Sequence, residues 1–170
     1  MASKNALTSI GLKVAIAVEA TAGTRPTSNY YVIPGVTDLP DLDFTPDTIE
    51  TTSFDNEKYK SYLDGLKDTG GIISFGANFT DYGFAMWNDI VDTLEDDTTG
   101  KIAWILISIE GTDNKWFIPV NPVECGVPSA PVNDKVSINY NFTVTKDIEH
   151  AVLNATAFAG YISEQDYPNI

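Results

Sequence analysis

The ten residues VSINYNFTVT, 136–145, constrain the fold more than any other stretch of the chain. Apolar and polar side chains alternate here without a break, so all the apolar ones fall on one face of an extended backbone. A period of two over this length indicates a long antiparallel strand, with one face in the core and the other toward solvent. The polar face would carry Ser137, Asn139, Asn141, Thr143 and Thr145.

Other segments supply further strands. GLKVAIAVE (11–19) and GIISFGANF (71–79) alternate in the same way, whereas KIAWILISI (101–109) is apolar on both faces, as expected of a central strand covered on both sides. The turn EGTDNK leads from it into WFIPV, so a hairpin is predicted over 102–120. Shorter strands are predicted at YYVI and DLDF, which begin at Tyr30 and Asp41.

One segment has the periodicity of a helix. In DYGFAMWNDIVDTLED, 81–96, large apolar side chains recur every three or four residues. Thr80 or Asp81 can cap its start, and Gly100 lies just beyond its end. The remainder of the chain is dominated by strand patterns, so this helix is expected to pack on a sheet.

These patterns predict an α+β, mainly β fold: an antiparallel β-sandwich or flattened barrel with one packed α-helix at about 81–96 and a long loop at about 45–70. The length favours a single domain over 1–170. We expect an N-terminal arm at 1–11 and a C-terminal arm or extension at 146–170. In that C-terminal stretch HAVLNATAF is compatible with a helix or with an extended arm.

Charge and composition exclude several classes of function. The chain has 24 acidic against 10 basic residues, a net charge of -14. Such a surface repels nucleic acid and anionic membranes, because phosphate binding needs clustered Lys and Arg. A single cysteine, Cys125, excludes an internal disulfide and a Cys-rich zinc site. With no signal-peptide pattern and no apolar run beyond eight residues, we expect a protein made in a reducing cytoplasm, without a membrane partner.

No motif of an enzyme, a metal site or a cofactor site is present, and we predict no catalytic residue, no metal and no cofactor. The acids of DLPDLDFTPDTIE are better explained as a solvated face than as paired catalytic carboxylates. His150 is expected on the surface, and Cys125 has no histidine near it in the sequence. An alternative of another class is a monomeric β-sandwich module that binds carbohydrate or protein, with Trp104 and Trp116 flanking one hairpin as stacking platforms.

The segment IETTSFDNEKYKSYLDGLKDTG, 49–70, points instead to self-assembly. Between Arg25 and Lys58 there are seven acids and no base, and three lysines then follow within ten residues. Complementary patches of this kind set register and direction in head-to-tail contacts between copies. The candidates for a contact with a neighbouring copy are Phe54, Lys58, Tyr59, Lys60, Tyr62, Leu63, Leu66 and Lys67.

The order of these features resembles a known family. IPGVTDLPDLDFTPDTIETTSFDNEKYKSYLDGLKDTGGIISFGANF, followed by the helix at DYGFAMW, the hairpin KIAWILISIEGTDNKWFIPV and the strand VSINYNFTVT, resembles the tail tube (major tail) proteins of long-tailed, non-contractile bacteriophages. That family is similar to the type VI secretion tube. The resemblance runs from Leu12 to Thr145, and residues 146–170 lie outside it.

The resemblance implies a structural, non-enzymatic virion protein, made in the bacterial host cytoplasm. Subunits of that family form hexameric rings that stack into the tail tube, through which DNA is ejected into the host cell. Implied partners are further copies of the chain, a tail tip or baseplate initiator, a tape-measure protein and a tail terminator, with DNA only as passing cargo. Six copies at -14 each would carry -84 formal charges. Lumen-facing candidates are Asp38, Asp41, Asp43, Asp47, Glu50, Ser137, Asn139, Asn141 and Thr143.

Overall fold

The computed structural model describes residues 11–42, 46–51, 60, 62–67 and 71–168. Seven strands form one curled antiparallel sheet in the order β2-β1-β6-β7-β8-β5, with β9 paired to the first half of β7. Two further strands, β3 and β4, form a small sheet of their own. The elements are β1 Lys13–Val18, β2 Tyr31–Val32, β3 Pro46–Glu50, β4 Tyr62–Lys67, β5 Ile72–Asn78, α1 Asp81–Glu95, β6 Ala103–Ser108, β7 Asn114–Val123, β8 Ser137–Val144, β9 Glu149–Val152 and α2 Ala155–Ala159. The predicted class, α+β and mainly β, is confirmed.

One face of the sheet packs against α1 and forms the main core. On β8 the apolar side chains are buried and the polar ones are half-buried or exposed, as the alternation predicted. The helix contributes Met86, Trp87 and Ile90, all fully buried, and the indole Nε1 of Trp87 donates to the carbonyl of Val123 at 2.8 Å. Thr80 caps the helix by accepting from the amide of Gly83 at 3.2 Å. The helix predicted at about 81–96 is therefore confirmed.

The opposite face carries a second apolar cluster. Side chains of β1, β6 and β7 are covered there by residues 149–162, which contain β9 and α2. We call this segment the C-terminal cover. All six residues of β6 are buried, which confirms the central strand predicted from its two apolar faces. The cluster consists of Ala15, Ala17, Tyr30, Trp104, Leu106 and Phe117, packed against Ala151, Leu153, Phe158, Tyr161 and Ile162 of the cover, and against Ile102.

Three details of the sequence prediction need correction. The region at about 45–70 is not a loop throughout, because β3 and β4 pair there with Ile49 opposite Leu63. A second helix, α2, accompanies α1, and Asn154 caps it by accepting from the amide of Ala157 at 2.9 Å. The strand predicted at DLDF is absent from its two described residues, 41–42. The pairing of β3 with β4 depends on tertiary contacts, and the start of α2 depends on a single capping side chain. Neither leaves a period in the hydropathy of the sequence.

Candidate assembly surfaces

The β3–β4 hairpin exposes an apolar cross-strand pair. Ile49 is 57% exposed and Leu63, directly opposite, is 62% exposed. At the same hairpin Lys60 Nζ lies 3.2 Å from a carboxylate oxygen of Glu50. A two-stranded sheet is marginally stable alone in water, and exposed apolar side chains that lie together favour a binding partner. The hairpin is therefore a candidate contact surface.

The other residues expected at this contact are placed only in part. Tyr62, Leu66 and Lys67 lie on β4, and the structure describes their backbone but not their side chains. Phe54, Lys58 and Tyr59 lie outside the described residues. Lys60, which we expected to meet carboxylates of a neighbour, is paired with Glu50 of its own chain.

The polar residues of β8 form one face together with the neighbouring strand β5. Across the two strands Ser137 lies opposite Asn78, Asn139 opposite Gly76, Asn141 opposite Ser74, and Thr143 opposite Ile72. Ser74 and Asn139 are exposed. This set of eight positions, which we call the open face, lies on the same side of the sheet as the C-terminal cover but in the half formed by β8 and β5. None of its eight side chains is Lys or Arg.

Asp38 reaches the open face from the edge of the sheet. The amide of Thr37 donates to the carbonyl of Gly76 at 2.9 Å, which holds the chain alongside β5. A Cβ placed on Gly76 would lie 2.3 Å from Oδ1 of Asp38, so the carboxylate occupies the space that any other residue would fill. The fold thus brings Asp38 together with the polar residues of β8, which are about 100 positions away in the sequence.

The other acids of the block are placed elsewhere. Asp41 lines an apolar groove on the helix side of the sheet. Glu50 lies on the hairpin beside Lys60, and Asp47 lies on β3 with its side chain not described. Asp43 is outside the described residues. Acids that lie within thirteen residues of one another in the sequence are therefore distributed over three surfaces of the molecule.

The outer edge of β5 is paired over only part of its length. Near its end the amide of Asn78 donates to the carbonyl of Gly35 at 2.8 Å. Over 72–74 no described residue pairs with this edge, and Ile72 is 67% exposed. Unpaired backbone groups on an edge strand are a template for pairing with another strand. This edge is a second candidate contact.

Cys125 and His150 make contacts within the fold. Burial raises the pKa of the Cys125 thiol to about 12, and a protonated thiol is a poor nucleophile. His150 lies 2.9 Å from Oδ1 of Asn114, with its ring against Trp116. Among the described residues no group of His, Cys, Asp and Glu could hold a metal ion, and none of the described helices is long and apolar enough to cross a bilayer.

The two tryptophans of the hairpin do not form one platform. Trp104 is buried in the second cluster, where its Nε1 donates to the carboxylate of Glu19 at 2.9 Å. Trp116 packs against the main core on the opposite side of the sheet. A sugar ring cannot stack on both at once, so the geometry removes the feature on which the carbohydrate-binding alternative depended.

Comparisons with known proteins extend the description of the fold. No protein-family model matches the chain, and no curated protein matches it either. A chain in the cryo-EM structure of the anti-feeding prophage baseplate, symmetrised six-fold, is similar with a TM-score of 0.62 and 14% identity, over 88% of this chain and 97% of that chain. A chain in the tail of an empty gene transfer agent particle, refined helically with C6 symmetry, has a TM-score of 0.57 and 13% identity, over 86% and 99%. A chain in the virion of the native gene transfer agent particle has a TM-score of 0.56 and 13% identity, over 86% and 99%. The chain therefore has a fold found in the tails and baseplates of phage-like particles.

Proposed function

We propose that this protein is a structural subunit of a phage tail tube, in which six copies form a ring and stacked rings form the conduit for DNA. The observation that carries the proposal is the open face, which has no basic residue among its eight strand positions. Six positions carry neutral polar side chains, Gly76 lies under the carboxylate of Asp38, and Ile72 is apolar and 67% exposed. The shared fold supports it, since two of the similar chains belong to assemblies solved with six-fold or C6 symmetry.

The open face has the chemistry that a DNA conduit requires. Proteins hold DNA chiefly through Lys and Arg on phosphates, so a wall without these residues does not retain the duplex. The exposed side chains of Ser74 and Asn139 remain hydrated without a charged partner, and the carboxylate of Asp38 adds repulsion toward phosphate. If this face lines the lumen, DNA would slide along it instead of binding.

The exposed edge and the hairpin provide means of joining copies. The outer edge of β5 at 72–74 can pair with a strand of the neighbouring copy and extend the sheet around a ring. The exposed pair Ile49 and Leu63 on the hairpin would then be buried against a second copy. The initiator, tape-measure protein and terminator expected from the family resemblance are proposed as the further partners, and the virion tail as the location.

Electron microscopy of the concentrated protein tests the proposal. We expect rings or tubes with six-fold symmetry, and in a cryo-EM reconstruction Asn139 and Asn141 should face the lumen. Leu63→Asp, which places a charge on the exposed hairpin pair, should reduce assembly, whereas Val152→Asp, at a position 69% exposed on β9, serves as the matched control. Assemblies with Asn139 on the outer wall, or a wild-type protein that remains monomeric at every concentration, would contradict the proposal.

A further inference from the structure

The helix side of the sheet contains an apolar groove that α1 does not fill. It has a volume of about 490 Å³ and lies at the end of the sheet where β6 ends and β7 begins. Apart from the carboxylate of Asp41, its walls are apolar, and several of the side chains remain half-exposed. The lining consists of Leu39, Asp41, Leu42, Ile107, Ile109, Trp116, Ile118 and Ile148.

A loop at the other end of β7 exposes apolar side chains. In residues 126–136, which we call the valine loop, Val127 is 96% exposed and Val132 is 91% exposed. These are the two largest exposures among the large apolar side chains that the structure describes. Nearly the whole of each side chain is in water, so neither contributes to the stability of the isolated subunit.

The valine loop is held in a defined shape. Ser129 and Ser137 exchange two backbone hydrogen bonds, of 2.8 and 2.9 Å, which attach the loop to the start of β8. Pro128 and Pro131 restrict the backbone further. A preorganised loop loses little conformational entropy when it binds, so burying Val127 and Val132 would yield more of the hydrophobic free energy.

The valine loop and the groove of one chain lie too far apart to meet. Trp116 and Ile118 of the groove are in the first half of β7, and the loop begins only after that strand has ended. From Ile118 to Val123 the strand spans roughly 17 Å at the usual rise per residue, and the loop begins beyond the end of the strand. Complementary surfaces at opposite ends of one molecule make head-to-tail contacts between successive copies.

We propose that the valine loop of one copy docks in the apolar groove of the next, with Val127 and Val132 inserted among its aliphatic side chains. The inference rests on the proposed self-assembly and adds a third contact to those of the hairpin and of the β5 edge. The loop carries no net charge, since Lys135 lies beside Asp134, so it can approach an apolar groove without bringing a net charge into it.

Cysteine cross-linking tests the contact directly. The double variant Val132→Cys, Ile109→Cys, treated with a short bis-maleimide, should give a ladder of covalent oligomers, because each copy then carries both halves of the joint. An equal mixture of the two single variants should stop at covalent dimers. Wild type is the control for Cys125, whose thiol is buried. Cross-linking of Val132→Cys to itself as fast as in the mixture would overturn the inference, since the contact would then be symmetric.

A second pair of variants separates this inference from the proposed function. Val132→Asp should raise the protein concentration needed for assembly by at least about tenfold, because a charge would have to enter an apolar groove. Val152→Asp, at a position 69% exposed on β9, is the matched control and should assemble like wild type. Circular dichroism should be unchanged in both.

The remaining outcomes are also decisive. If wild type and Val132→Asp assemble equally well, the proposed contact between the valine loop and the groove is wrong and the tube proposal stands. If wild type neither assembles nor cross-links, both fail. Cross-linking between Leu7→Cys and Ile109→Cys placed in the same chain would show that the groove is filled from within, which overturns the inference alone.

Discussion

The two halves of one sheet surface differ in whether the rest of the chain covers them. Over β1, β6 and β7 the surface is apolar and lies under the C-terminal cover, with Trp104 and Phe117 almost wholly buried. Over β8 and β5 the same side carries six neutral polar side chains, the exposed Ile72 and Asp38. The covered half therefore adds buried apolar surface to the core, whereas the open half leaves Ser74, Asn139 and Ile72 exposed.

The largest expected effect comes from the covered half. Phe117 is fully buried, with its ring 5.5 Å from that of Tyr161 and 5.9 Å from that of Tyr30. Phe117→Ala should lower the free energy of unfolding by about 3–5 kcal/mol, the usual cost of such a cavity. Asn139→Ala in the open half should change it by less than about 0.5 kcal/mol. Urea unfolding of both variants measures the contrast, and similar losses would mean that the open half is part of the core.

A smaller effect is expected where the cover is attached. The guanidinium of Arg25 lies 4.2 Å from the ring centroid of Phe117 and forms an ion pair of 2.5 Å with Glu149 of the cover. Arg25→Leu should lower the free energy of unfolding by about 1–2 kcal/mol, because it removes a partly exposed cation–π contact and a surface ion pair. Glu149→Gln removes only the ion pair and should cost about 0.5 kcal/mol, with the loss shrinking at high salt. A Glu149→Gln loss as large as that of Arg25→Leu would assign the attachment to charge alone.

The smallest effect on stability should accompany the largest change in chemistry. Asn139→Lys together with Asn141→Lys adds two bases to the open face of each copy and should alter the free energy of unfolding by less than about 1 kcal/mol. If this face lines the lumen, assembled tubes should then retain DNA, and particles carrying the variant should eject it more slowly. The pair Thr98→Lys and Gln165→Lys, at exposed positions away from this face, is the control for added charge. Equal DNA retention by both pairs would count against a lumenal role for the open face.

Local patterns in the sequence were sufficient for the elements whose environment depends on near neighbours in the chain. The alternation in 136–145 predicted which side chains of β8 would be buried, because side chains of a strand point to opposite faces in turn. The two apolar faces of β6 predicted its central place, and of the two predicted caps, Thr80 and Asp81, the structure has Thr80 at the start of α1. Of the candidate site residues, the polar side chains of β8 were found on one face as expected.

The sequence alone therefore predicted the main strands and the long helix. It also showed that the polar strand face has no clustered positive charge. The tertiary structure decided how those elements are covered and brought together. The C-terminal cover depends on β9 pairing with β7 across more than 30 residues, and the carboxylate of Asp38 lies over Gly76 because a distant segment runs along the sheet edge. Contacts between residues far apart in the chain leave no period in the sequence, and their energy exists only once the intervening chain has folded.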